Sequence, residues 1–178
     1  MGYLEVAARL LVGTVFVVAL AGKVRGAGAY AAFEASLRQM RVVPEALVRP
    51  AAAASLAAEA AVVALLAVPR EWAGLAGFAL AAGLLSVFAA AIALSLRGGN
   101  RAPCRCFGAS ATPLGRGHIA RNAVLVAITL AGLIAAAGPG APGSLASTAG
   151  PGAIVAGGAG LVVGIIVTAY DDVVALFR

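Results

Sequence analysis

The sequence predicts an all-helical bundle that crosses a membrane several times. Hydrophobic residues make up 62% of its 178 positions, charged residues make up only 11%, and the mean hydropathy is +1.02. A soluble domain carries about 25% charged residues and about 45–50% apolar ones. The composition therefore excludes an ordinary soluble globule, and the high hydrophobicity excludes a disordered chain.

Five apolar stretches are long enough to cross a hydrocarbon core, which takes about 20 residues of helix. They cover residues 6–22, 51–68, 72–96, 119–137 and 152–170. Their alanine-rich runs lack the alternation of barrel strands, so each stretch is predicted to be a helix. Small residues such as those of Gly160-x-x-x-Gly164 allow close helix approach, but they specify no oligomer.

The predicted organisation has three parts, which are a four-span domain over residues 1–137, a flexible outer loop over 138–151, and a fifth span with a short tail over 152–178. Between the first two spans, apolar residues recur at helical spacing from Tyr30 to Met40 while charged residues fall on another face. This pattern predicts an amphipathic helix near residues 29–41 that lies in the membrane interface. It would either cover the bundle or dock a partner.

Basic residues are distributed unevenly between the two sides of the predicted bundle. Only Arg9 and Arg70 fall on one side, and the other side holds Lys23, Arg25, Arg38, Arg41, Arg49, Arg97, Arg101, Arg105, Arg116, Arg121 and Arg178. The positive-inside rule places the crowded side in the cytoplasm and the amino terminus outside. The net charge of +6 is thus explained by topology, and no nucleic-acid partner is predicted.

Glu59 stands near the middle of the second predicted span, among alanines and valines. A charged side chain at this depth costs about 2.5–3.5 kcal/mol on insertion scales, so it marks a candidate functional site. The cations available to it are Lys23, Arg121 and Arg9. Three roles stay open at this stage: a buried ion pair that fixes helix packing, a proton-handling group, or a polar contact to a bound quinone.

The only two cysteines stand two positions apart, as Cys104-Arg105-Cys106, in a charged loop over residues 97–118. Thiol–disulfide exchange needs an attacking thiolate and a second sulfur that resolves the mixed disulfide. Arg105 favours the thiolate by its charge, and a disulfide across one residue closes a small strained ring of the labile kind. A permanent disulfide is disfavoured at a cytoplasmic face. The pair therefore predicts redox cycling.

Two alternatives compete with redox cycling. Cys104 and Cys106 together with His118 would supply three ligands of the kind that zinc or copper(I) accepts. The pair would otherwise be non-catalytic, in a membrane subunit that docks a redox enzyme through its basic loops. His118 is also a candidate proton donor or acceptor near neutral pH.

Several segments together resemble a known family, the MauE branch of the DoxX-like membrane proteins, over about residues 4–137. They are Ala21-Gly22-Lys23-Val24-Arg25, Phe33-x-x-x-Leu37, the entry of the second span from Pro50 to Glu59, and Cys104-Arg105-Cys106-Phe107-Gly108 followed by Arg121-Asn122. The family loop usually reads Cys-Gly-Cys-Phe-Gly, and Arg105 departs from that pattern. This departure bears on the reduction potential of the two cysteines or on the identity of their partner.

The resemblance implies a small helical bundle that works with a thioredoxin-like partner, and it associates such proteins with quinone-linked sulfur chemistry. The leading hypothesis is a thiol redox protein of the bacterial plasma membrane. In this hypothesis Cys104 and Cys106 exchange electrons with a thioredoxin-fold protein, and a membrane quinone or a protein across the membrane is the second partner. Glu59, Lys23, His118 and Arg121 would serve proton handling, quinone contact or bundle electrostatics.

Overall fold

The computed structural model describes residues 2–100, 115–138 and 150–175, and every regular element in those ranges is an α-helix. In chain order the helices are α1 (Gly2–Val24), α2 (Ala29–Met40), α3 (Glu45–Ala67), α4 (Glu71–Arg97), α5 (Arg116–Ala137) and α6 (Pro151–Ala175). All except α2 are long and apolar enough to cross a membrane. The predicted all-α polytopic bundle is confirmed.

The spans α1, α3, α4 and α5 alternate in direction, which gives the bundle two distinct ends. Arg9, early in α1, contacts the carboxyl end of α3, and Lys23, at the end of α1, contacts the interior of α3. We call the end where α1 and α4 finish and where α3 and α5 begin the basic end. Helix α2 lies there, and the short turn between α3 and α4 lies at the opposite end.

Helix α3 begins at Glu45, six residues before the predicted span, and it contains Pro50. Proline at this position removes one intrahelical bond, the one that would be accepted by the carbonyl of Ala46. Ala46 is exposed at the basic end, so solvent or lipid headgroups can satisfy that carbonyl.

The apolar core is close-packed around aromatic and branched side chains, among which Phe16, Phe78 and Leu85 are fully buried. At Gly132 of α5, an added Cβ would lie 2.7 Å from the ring of Phe78 and 2.9 Å from the Cβ of Ala8. No side chain fits there without displacing its neighbours. This glycine therefore lets α1, α4 and α5 meet closely.

Helix α6 packs in parallel along α1, with Gly152 beside Tyr3 and Gly164 beside Leu11. The closest approach is at Gly160, where an added Cβ would lie 2.2 Å from the carbonyl oxygen of Ala7. The Gly160-x-x-x-Gly164 motif thus serves contact within the chain. The flexible loop predicted for residues 138–151 falls mostly on 139–149, which lie outside the described ranges.

Candidate functional site

A buried ion pair joins α1 to α3 toward the basic end. The Nζ atom of Lys23 donates to both carboxylate oxygens of Glu59, at 2.8 and 3.0 Å, and the two residues are 1% and 0% exposed. A lysine near a helix end usually extends toward the interface, but this one turns into the bundle. Of the three cations considered from sequence, Lys23 is the one that contacts Glu59.

Phe33 brings α2 into the same cluster. Its ring centroid lies 4.8 Å from the Nζ atom of Lys23, and its side chain is 2% exposed. A cation over a ring face is favoured by about 0.5–2 kcal/mol, most strongly when it is desolvated. Ser36 and Met40 are buried on the same face of α2. The amphipathic helix predicted near residues 29–41 is therefore present as Ala29–Met40, and it is docked on the bundle.

Helices α4 and α5 add further buried polar groups, whose burial the sequence pattern does not indicate. Asn122 is fully buried, its Nδ2 atom donates to the carbonyl of His118 at 2.8 Å, and its Oδ1 atom has no hydrogen-bond partner among the described residues. The hydroxyl of Ser95, near the end of α4, is likewise unpartnered there. A buried acceptor without a partner costs about 1–3 kcal/mol, so Asn122 favours the binding of a water or of another donor.

The other candidates on α5 lie close to its start. His118 is 8% exposed and occupies the first turn of α5, where its backbone N–H donates to Gly115 at 3.1 Å. Arg121 is half-buried in the next turn. Both residues therefore stand at the basic end, as does the polar contact of Asn122 with His118. Among the ion pairs between described residues, the partner of Glu59 is Lys23 and not Arg121.

Cys104, Arg105 and Cys106 lie outside the described residues, within 101–114. The residues that flank this segment are described. The backbone N–H of Asn100 donates to Ser95 at 3.0 Å, and its side-chain amide donates to the carbonyl of Gln39 in α2. Gly115 precedes the first turn of α5. Both attachment points of the cysteine segment therefore lie at the basic end.

Within residues 2–100, 115–138 and 150–175, no group of three or more histidine, cysteine, aspartate or glutamate side chains could hold a metal ion. The metal site considered from sequence would use Cys104, Cys106 and His118, and two of those ligands fall on the segment that is not described. That alternative therefore stays a prediction.

A second buried charge network lies at the opposite end. Arg9 is 4% exposed, its Nη2 atom donates to Glu5 at 3.0 Å, and its Nη1 atom donates to the carbonyl of Val68 at 2.7 Å. The guanidinium thus satisfies a carbonyl at the end of α3. An added Cβ on Gly74 would lie 2.1 Å from Nη2. The spacing of Glu5 and Arg9 indicates their pairing, but nothing in the sequence marks the contact with α3.

Comparison with known proteins gives one family. The family model described as methylamine utilisation protein MauE matches residues 1–135, which contain α1 to α4 and nearly all of α5. The searches of curated proteins and of solved structures gave no significant match. The match covers well over half of the 178 residues. The chain therefore belongs to the MauE family, as a multi-pass helical membrane protein with a further apolar helix after the matched region.

Proposed function

We propose that the chain is a membrane thiol–disulfide redox protein whose reactive groups are Cys104 and Cys106. One observation carries the proposal: both attachment points of the segment that holds the only two thiols lie at the basic end, where the buried polar cluster also lies. Membership in the MauE family supports a redox-related or methylamine-utilisation context. The resemblance to DoxX-like proteins noted from sequence adds an association with quinone-linked sulfur chemistry.

The covalent tether limits how far the thiols can lie from the bundle. Cys104 follows Asn100 by four residues, so its Cα lies within about 14 Å of that of Asn100 even in a fully extended chain. Asn100 is held against α2 and the end of α4. Within this distance the thiols can react with a protein partner at the membrane interface. They can also exchange electrons with a second partner inside the bilayer.

The exchange balances as two coupled steps. In the first step the Cys104/Cys106 dithiol attacks the disulfide of a thioredoxin-fold partner, which leaves the partner as a dithiol and the pair as a disulfide, or the same exchange runs in reverse. In the second step two electrons and two protons pass between the pair and a membrane quinone or a disulfide across the membrane. The second sulfur of the Cys104/Cys106 pair resolves the mixed disulfide when the pair is oxidised, and the second sulfur of the partner resolves it when the exchange runs in reverse.

The buried polar groups have separate roles in this proposal. Lys23 and Glu59 supply bundle electrostatics, because each carboxylate oxygen already accepts from the ammonium. His118 is the proton-handling group, since its side chain stands at the start of α5 beside the cysteine segment. The unpartnered Oδ1 atom of Asn122 can accept a hydrogen bond from a hydroxyl, such as that of a quinol. Arg121 adds positive charge at the same end.

Trapping of mixed disulfides tests the proposal directly. When the resolving sulfur is missing, exchange stops at the mixed disulfide, so Cys104→Ser or Cys106→Ser should accumulate a reductant-sensitive adduct with a thioredoxin-fold protein on non-reducing gels. The double variant should form none, and its cells should hold client proteins in an altered thiol state, measured by alkylation gel shift. Ala109→Ser, which adds a hydroxyl to the same segment without removing a thiol, is the matched control.

The alternatives give different results in the same cells. A double variant that maintains client redox state as well as wild type would contradict the thiol relay and favour a docking subunit. Stoichiometric zinc or copper in the purified protein, lost in His118→Ala, would instead favour a soft-metal site built from Cys104, Cys106 and His118.

A further inference from the structure

A cleft of about 750 Å³ opens at the basic end between the last turns of α2 and α4. Its described lining residues come from both helix ends and from the start of the following segment, and they are Gln39, Met40, Arg41, Val42, Leu94, Ser95, Gly98, Gly99 and Asn100. The Lys23–Glu59 pair is not among the described lining residues of the cleft, and neither are His118, Arg121 and Asn122.

The lining divides into an apolar side and a polar side. Leu94 is 56% exposed in the last turn of a helix that is long and apolar enough to cross a membrane, so it gives the cleft an apolar wall. The polar side is formed by Gln39 in the last turn of α2 and by Arg41 and Asn100, which follow the ends of α2 and α4. A ligand that fills this cleft must contact both hydrocarbon and headgroup regions, which is a property of an amphiphile.

The charges in and around the cleft favour an anionic group. Arg41 is exposed, and no carboxylate of the described residues pairs with it, whereas Arg38 is paired with Glu45 at 2.5 Å. The carboxyl ends of α2 and α4 oppose an anion, but each is equivalent to only about half a negative charge. Backbone N–H groups of Gly98, Gly99 and Asn100 already satisfy the last carbonyls of α4. The partial negative charge at the end of α4 is thereby reduced, and Arg41 is the one full charge among the described lining residues.

The floor of the cleft offers a further polar group. Ser95 is 2% exposed, and its hydroxyl has no hydrogen-bond partner in the part of the chain that the structure describes. A hydroxyl turns about a single bond, so Ser95 can present either a donor or an acceptor to a headgroup.

We propose that this cleft binds one membrane phospholipid, with the phosphate against Arg41 and an acyl chain along Leu94. A guanidinium suits this role because its fixed donors match the oxygens of a phosphate. The site would bind a lipid at the junction of α2 and α4, at the membrane interface. This inference does not depend on the thiol chemistry, and it holds for the chain whether or not Cys104 and Cys106 are reactive.

Native mass spectrometry of the full-length protein in detergent, titrated with phosphatidylglycerol, tests the site. Wild type should retain one lipid molecule. Arg41→Gln should weaken its apparent affinity by about tenfold, which equals about 1.4 kcal/mol and lies at the lower bound for a hydrogen bond to a charged group. Arg41→Lys should recover most of the loss because it restores the charge. Arg49→Gln removes an exposed arginine at the same end but outside the cleft, so it should leave the affinity nearly unchanged.

Two further probes separate the sources of the phosphate. Diacylglycerol with the same acyl chains should not be retained, and millimolar inorganic phosphate should not displace phosphatidylglycerol. Equal retention of diacylglycerol, equal losses in Arg41→Gln and Arg49→Gln, or displacement by inorganic phosphate would each overturn the proposal. Thermal unfolding of each variant confirms that the comparison is made on folded protein.

Discussion

Lys23 and Glu59 each place a full charge inside the bundle, and each depends on the other to remain there. Their side chains are 1% and 0% exposed, and they are joined by two hydrogen bonds. Removing one partner of a buried pair leaves an uncompensated charge and costs about 3–5 kcal/mol, whereas replacing both is often nearly neutral. The pair therefore contributes more to keeping the helices in one arrangement than to net stability.

We expect Lys23→Met to lower the free energy of unfolding by about 3 kcal/mol, and Lys23→Met/Glu59→Gln to lower it by clearly less. Denaturant unfolding in detergent micelles measures both values. Arg25→Met, which removes an exposed cation from the same region, is the control and should be nearly neutral. Glu59→Gln alone completes the cycle, and a loss in the double variant equal to the sum of the losses in Lys23→Met and Glu59→Gln would show that the pair is not coupled.

The sequence predicted part of this residue-scale picture. Glu59 stood out because a carboxylate inside an apolar run is rare, and Lys23 was among the three cations proposed to meet it. The contact between the ring of Phe33 and the ammonium of Lys23 was not predicted. The spacing of apolar residues marks the buried face of a helix, but it does not say which residues of other helices that face contacts. Asn122 was noted only within a family-like motif, and its burial follows from how α5 rotates against its neighbours.

At the scale of elements, glycine decides how closely α6 approaches α1. Gly160 lies against the backbone of Ala7, and Gly157 lies against the side chain of Leu10. Gly158 has no atom within 4 Å of an added Cβ, although it belongs to the same helix. Since lipid tails are as apolar as the helices, close van der Waals packing is what holds such a pair together.

Gly160→Ala should destabilise the protein by about 1–3 kcal/mol, because its methyl group would force the backbones of α1 and α6 apart. Gly158→Ala should be neutral or slightly stabilising, since alanine favours the helix by about 1 kcal/mol where space is free. Thermal unfolding in detergent compares the two. Equal melting temperatures would contradict the close contact between the helices.

The five spans were predicted from hydropathy because backbone groups in a bilayer must be satisfied within helices. Helix α3 extends beyond its predicted span, because it begins at Glu45 rather than at residue 51. Pro50 lies several residues into this helix, in a part that projects beyond the apolar run, where an exposed carbonyl can tolerate the missing partner.

Over the whole molecule, the two ends differ in charge and in construction. The opposite end is closed by the buried Glu5–Arg9 network and a short turn. The basic end carries α2, the cleft proposed to bind a phospholipid, and both attachment points of the cysteine segment. The positive-inside rule predicts that this end faces the cytoplasm, a placement that decides which partners can reach the thiols.

Labelling with a membrane-impermeant thiol reagent tests this orientation. After reduction, Cys104 and Cys106 should react in inverted membrane vesicles and stay protected in cells with intact membranes. An Arg70→Cys change in a Cys104→Ser/Cys106→Ser background places a thiol in the α3–α4 turn at the opposite end, and it should show the reverse pattern. Labelling of the native pair from outside would invert the proposed topology and place the partner protein there.

The parallel packing of α6 on α1 has a consequence for synthesis. α1 is made before α6, with roughly 130 residues between them, which takes on the order of ten seconds at about 5–20 residues per second. During that interval α6 is not yet present to cover its contact surface on α1, which includes Ala7 and Thr14. Until α6 packs there, a foreign helix with small residues can compete for this surface.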